Sequence, residues 1–294
     1  CTLAAAAIKE MAKDNKTNQD AIAEAGGVQP LVLMLGSVTS QMQGNAAGAL
    51  ANLARGHPVN QAAVARTGAV TPLCMLLREG SAETKDYAAS ALWSLSTGNA
   101  ANKDTIAKLG GIDPLLGLLV SGMTDRSQQN TSGALAALAS KHTDNRALIT
   151  KRLVGLLGSA AGKTIDRAER VLVTCSSFAS DSIYNQVSLA KLGGVPPLIT
   201  WLAHSHENAQ AQAALGLLSI AADNTTTQTV IAKSSGIPPL IQLVRKSSPL
   251  AQDYAARTLW HLASQPEYQE LIMTSGGIRP LVGMLSADST PELP

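Results

Sequence analysis

The sequence predicts an all-α solenoid, helices stacked on helices in a linear array, and three observations predict it. First, one phrase recurs: "AGGVQPLVLML" at 25, "TGAVTPLCMLL" at 67, "LGGIDPLLGLL" at 109, "LGGVPPLITWL" at 192, "SSGIPPLIQLV" at 234 and "SGGIRPLVGML" at 275. Its prolines, Pro30, Pro72, Pro114, Pro197, Pro239 and Pro280, are separated by 42, 42, 83, 42 and 41 residues, so the long interval hides one more unit. A fixed period of this size marks a repeat architecture. Second, stretches such as "QGNAAGALANLA", "KDYAASALWSLS" and "QDYAARTLWHLA" place apolar residues at i, i+3, i+4 and i+7, the stripe of an amphipathic helix. Third, the chain is 45% apolar but only 3% aromatic, so Ala, Leu, Ile and Val must fill a core of closely packed helices.

Each unit divides into three helices. Twelve residues before each proline stands "NQDAI" from Asn18, "NQAAV" from Asn60, "NKDTI" from Asn102 or "NQVSL" from Asn185, with "TQTVI" from Thr227 and "YQELI" from Tyr268 as degenerate copies. The Asn is expected to cap a short first helix, its side-chain oxygen accepting an orphan amide. The Gly pair ends that helix, because Gly adopts the left-handed conformation at little cost. The Pro is expected at the first position of a second helix, where it sacrifices no hydrogen bond. The long "AL-x-x-LA" stretch is the third helix. No unit buries its apolar faces alone, so neighbours must stack.

Three helices in about 42 residues, with Gly between the first two, resemble the armadillo repeat family over essentially the whole chain. The resemblance implies a right-handed superhelix. The expected array comprises a partial repeat at 1–13, repeats at 14–55, 56–97, 98–140, 141–180, 181–222 and 223–263, and a partial repeat at 264–294, a segment of something longer. The fourth repeat is degenerate: it lacks the Gly pair and the Pro, so Asp144 to Leu157 is expected to run as one bent helix.

That repeat also contains "GLLGSAAGKT", residues 155–164, which nearly spells a nucleotide-binding loop. Only three residues lie between Gly158 and Gly162 where four are needed, and the fitting register puts Leu157 where the first Gly belongs. A P-loop also follows a β-strand, whereas this stretch follows a helix, so it reads as an inter-helix turn.

No enzymatic constellation emerges, and no cofactor or metal is expected. His204 and His206 with Glu207 fall in a polar turn and read as solvated residues. Cys74 and Cys175 read as small buried hydrophobes, and Tyr87 and Tyr254 as repeat packing. A net charge of +2 and the scarcity of aromatics argue against nucleic acid. No apolar stretch is long enough to insert in a membrane. Three scattered cysteines fit a reducing compartment, with cytoplasm the default and nucleus or axoneme open. Lys163, Arg167 and Arg170 share a helix face beside Lys151 and Arg152, a solvated face or a small anion site.

The family resemblance implies binding of extended peptides in a groove lined by third helices. There a recurring Asn bonds the ligand backbone, and a Trp four residues earlier forms pockets in nuclear import receptors. Only Asn52 matches the Asn; the equivalent positions hold Glu10, Ser94, Ala137, Ser177, Ser219 and His261. The Trp positions hold Gly48, Ser90, Gly133, Val173, Leu215 and Arg257, and these small residues in the first half would admit a partner helix. Trp93 and Trp260, one residue before the Asn column, are expected to pack on neighbouring repeats. The expected groove residues are Asn52, Ser94, Ser177, Ser219, Asp253, Arg257 and His261. The reading is a non-enzymatic scaffold or adaptor that takes a protein partner, as an extended peptide or a helix, within a larger assembly. Its rivals are a nuclear transport adaptor and the substrate-recognition or regulatory arm of a larger enzyme, for example a ubiquitin ligase.

Overall fold

A computed structural model describes residues 1–119, 121, 124–160 and 164–287. The described residues form twenty helices and no strand. A long helix α1 (Thr2–Ala12) is followed by the triplet α2 (Lys16–Glu24), α3 (Val28–Met34) and α4 (Ser40–Ala54). Two more triplets follow: α5 (Pro58–Arg66), α6 (Val70–Glu79) and α7 (Ala82–Ser96), then α8 (Ala100–Lys108), α9 (Ile112–Leu119) and α10 (Asp125–Ala139). The degenerate repeat has two helices, α11 (Thr143–Ala160) and α12 (Ile165–Asp181). Then come α13 (Ile183–Lys191), α14 (Val195–Leu202) and α15 (Glu207–Ala221), followed by α16 (Thr225–Lys233), α17 (Ile237–Lys246) and α18 (Pro249–Leu262). Helices α19 (Pro266–Thr274) and α20 (Ile278–Ala287) complete the described chain. The chain forms two compact units, Cys1–Ile149 and Thr150–Pro294, with the boundary inside α11.

In the first unit, α1, α4, α7 and α10 pack side by side in that order; in the second, α12, α15 and α18 do the same. The faces they share are built from Ala and Leu: Ala46, Ala47, Ala49, Leu50 and Leu53 on α4, and Ala213, Ala214 and Leu217 on α15, are fully buried. Small side chains let neighbouring backbones approach closely, which is how a core with so few aromatics reaches full packing.

The recurring Asn does not cap the first helix. The caps stand three residues upstream: Asn15, His57, Asn99, Ser182 and Asn224 each accept the backbone amide of residue i+3. The Asn of the motif instead points back at the preceding third helix and donates to one of its last carbonyls. Asn18 reaches Met11 O at 2.8 Å, Asn60 reaches Leu53 O at 3.1 Å, Asn102 reaches Leu95 O at 2.9 Å and Asn185 reaches Phe178 O at 2.9 Å. Those carbonyls have no partner within their own helix. The Gln beside the Asn supplies another such bond: Gln61 Nε2 donates to Ser94 O (2.9 Å) and Thr97 O (3.1 Å) at the end of α7. In α2, α5 and α13 the "NQ" pair therefore laces the first helix to the ends of two successive third helices.

Two of the caps are histidines with a second bond. His57 Nδ1 accepts the Asn60 amide, which leaves the proton on Nε2 to donate to Asp20 Oδ1 at 2.7 Å. His142 repeats the arrangement with Asn145 and Asp104, and its hydrogen bond holds the Asp104 carboxyl below the ordinary carboxylate range. These His–Asp pairs, absent from the sequence reading, join successive first helices.

The Gly pair behaves as expected. Gly26, Gly68, Gly110, Gly193 and Gly276 have φ between 69° and 87°, and in the remaining copy Ser235 adopts φ 61°. The Pro stands at the third helical position rather than the first, as Pro30 does in α3. The hydrogen-bond ladder starts one residue later, with Leu31 N to Gly27 O, so the missing amide still costs nothing. In the degenerate repeat, loss of both breakers lets α11 run 18 residues without interruption, two shortened helices fused into one.

Candidate functional site

In the first unit a cavity of about 420 Å³ is lined by α1, α4, α7 and α10, all four of its third helices. Lys9, Glu10, Lys13 and Asp14 come from the end of α1 and the turn after it, and Gly48, Ala51, Asn52 and Arg55 from α4. Tyr87, Ser90 and Trp93 come from α7, and Arg126, Gln129 and Asn130 from the start of α10. From each helix to the next the lining moves about one turn toward the N-terminus, so the cavity runs obliquely across the repeats.

Tyr87 is its centre. Lys9 Nζ donates to Tyr87 Oη and Asn45 Oδ1, each at 3.2 Å, and lies 4.8 Å from the centre of the Tyr87 ring. The Arg126 guanidinium lies 5.2 Å from the same centre. Arg126 Nε pairs with Asp86 Oδ2 at 3.3 Å, and Asp86 also accepts Ser127 Oγ and Asn130 Nδ2. Arg55 Nη2 approaches Ser90 Oγ at 3.5 Å.

The expected groove residues distribute unevenly. Asn52 lines the cavity, but its amide donates to Lys9 O at 2.8 Å, so one donor expected to meet a ligand backbone already serves the end of α1. Ser94 is buried. In the second unit Ser177 is exposed, whereas Ser219 is buried and bonded to Ser180 Oγ at 3.0 Å. Asp253 and Arg257 pair at 3.6 Å on the exposed side of α18, and His261 lies under the Trp260 indole with ring centres 4.6 Å apart. Asp253 also borders a cavity of about 410 Å³ with Val244, Arg245, Pro249, Gln252, Pro280, Gly283 and Met284.

The small residues in the Trp column do not leave room for a partner. A Cβ on Gly48 would stand 3.0 Å from the Tyr87 ring, and one on Gly133 would stand 2.5 Å from the Trp93 ring. Helix α7 fills the hollows on both of its neighbours with its own aromatics. Trp93 thus packs on the next repeat as expected. Trp260 does not: it is 70% exposed.

The other candidates resolve as follows. Residues 155–160 are the end of α11, so the near-P-loop follows a helix, while Gly162 and Lys163 lie outside the described residues. Arg167 and Arg170 sit half-buried on α12, and Lys151 and Arg152 are exposed on α11. His206 Nδ1 lies 3.0 Å from Glu169 Oε1, and among the described residues no group of three His, Cys, Asp or Glu is placed to hold a metal. Burial pushes the Cys74 thiol up to about 11 and the Cys175 thiol up to about 12, so neither forms a thiolate nucleophile near neutral pH. No helix among the described residues is long and apolar enough to cross a membrane.

Comparison with known proteins agrees with this geometry. The Armadillo/beta-catenin-like repeat model matches residues 15–55, 57–97 and 224–264. An engineered protein solved by a structural genomics consortium is 29% identical, with a TM-score of 0.63 over 97% of this chain and 70% of that one. A second engineered protein from the same source is 28% identical, with a TM-score of 0.55 over 81% of this chain and 97% of that one. A designed armadillo repeat protein in complex with the peptide (KR)4 is 22% identical, with a TM-score of 0.55 over 80% of this chain and 99% of that one, a likeness of fold alone. No curated protein matches the sequence.

Proposed function

Because the chain carries armadillo repeats in the fold such repeats make, we propose that it is a non-enzymatic scaffold or adaptor. Its partner is another protein, taken as an extended peptide along the third helices. The observation that carries this reading is the cavity lined by four successive third helices in the first unit. An extended peptide entering such a groove needs polar groups for its backbone and a floor on which side chains can lie. Asn52, Ser90, Gln129 and Asn130 supply the first, and Tyr87 and Trp93 the second. Three free cysteines support a place in the reducing cytoplasm.

A photo-crosslinking residue tests the proposal when placed at Arg55, in the groove, or at Leu33, which is 68% exposed on the second-helix side. Cell extract supplies the partners. Adducts are expected from position 55, and adducts from position 33 alone would reject the groove.

A further inference from the structure

We infer that the groove of the first unit selects an acidic segment of its polypeptide partner, with a carboxylate seated among Lys9, Arg55 and Arg126 beside Tyr87. This rests on the groove reading above and adds the sign and position of the ligand charge. Four cations, Lys9, Lys13, Arg55 and Arg126, line the cavity, against the carboxylates Glu10 and Asp14 in its lining and Asp86 behind Arg126. A cleft lined mainly by one sign concentrates its field on an entering charge of the other.

The cations are also unevenly satisfied. The Lys9 side chain is only 15% exposed, and its ammonium is held by two neutral oxygens, with the nearest carboxylate, Glu10, 3.9 Å away and itself largely solvated. An ammonium so far removed from water gains most from a full negative charge. Arg126 spends Nε on Asp86 while its side chain stays 64% exposed, which leaves the two terminal nitrogens for a further acceptor. Arg55 makes no ion pair among the described residues and reaches only Ser90 Oγ, one turn along α7 from Tyr87.

Lys9 and Arg126 both lie against the Tyr87 ring, 4.8 and 5.2 Å from its centre, so two cations border one side chain of the groove. The designed neighbour's (KR)4 peptide is basic, so the inferred preference here is the opposite one.

Fluorescence anisotropy on the whole chain tests this with three labelled peptides of equal length: alternating Glu-Ser, alternating Lys-Ser and alternating Gly-Ser. The Glu-Ser peptide is expected to bind about tenfold tighter than either other, and to weaken as salt is added. Arg55→Gln and Arg126→Gln remove exposed cations without touching the core, and each is expected to weaken it about two- to fivefold. Lys9→Gln should weaken it further, and a thermal melt will show whether that variant stays folded. Tighter binding of the Lys-Ser peptide, or no binding of the Glu-Ser peptide, would overturn the inference. Unchanged binding of the Glu-Ser peptide by the Arg55→Gln, Arg126→Gln double variant would also overturn it. Crosslinking from Gln129, an exposed and uncharged residue of the groove lining, separates the two readings: a Lys-Ser or Gly-Ser peptide captured there in preference to Glu-Ser rejects the acidic preference but leaves the groove standing.

Discussion

At the scale of single residues, the fold depends on side chains that finish the hydrogen bonding of helix ends. Asn60 is buried, and its one amide nitrogen donates to Leu53 O at 3.1 Å and to Gln19 O at 3.3 Å. Replacing it by Ala leaves Leu53 O, among the last carbonyls of α4, without this donor, so Asn60→Ala is expected to destabilise the protein by about 1–3 kcal/mol. Asn60→Asp should cost more, because it sets a carboxylate against both carbonyls. Urea unfolding followed at 222 nm checks both. A loss in Asn60→Ala as small as that of an exposed substitution would show that the clasp has no energetic role. The groove depends on the opposite arrangement, since Lys9, Arg55 and Arg126 turn cationic groups toward open space.

At the scale of the helical element, the order of helices was legible because breakers recur at a fixed interval. Gly and Pro act on the backbone they occupy, so their effect is local and readable. Ser235 marks where one breaker is missing. It adopts φ 61° in the column where five other copies have Gly. The left-handed conformation costs an L-residue about 1–2 kcal/mol. Gly relieves that cost but loses about 0.4–1 kcal/mol through the greater freedom of its unfolded chain. Ser235→Gly is therefore expected to stabilise the protein by about 0.5–1 kcal/mol, since Ser235 is exposed and loses no packing. A calorimetric melting temperature at or below that of the parent would contradict this. What was not legible depended on partners remote in sequence. Asn18, Asn60 and Asn102 have a good capping side chain near a helix start, and only the neighbouring helix reveals that they reach backward. Most of the residues that line the first unit's cavity beside Asn52 escaped the sequence for a related reason. Comparing equivalent positions in each repeat finds a ladder at constant register. The cavity instead crosses the registers by about a turn per helix, so Lys9, Arg55, Tyr87 and Arg126 never fall in one column.

At the scale of the whole molecule, a repeat array is stabilised by its repeats and the interfaces between neighbours, with few contacts between distant parts. Damage to one interface should therefore stay close to where it is made. Leu217 is a suitable probe: it is fully buried on α15, the third helix packed between α12 and α18. Truncation to Ala removes apolar surface and leaves a cavity, so Leu217→Ala is expected to cost about 2–5 kcal/mol. Hydrogen exchange read by mass spectrometry should show the loss concentrated in α12, α15 and α18. The amides of α4 and α7, in the first unit, should keep the protection they have in the parent, because they pack on each other, on α1 and α10 and on the short helices of the first unit. A uniform drop across all third helices would mean that the chain opens as one cooperative body, against the nearest-neighbour account. Local damage would also leave the first unit's groove formed, so Leu217→Ala should still bind the peptide that the groove prefers.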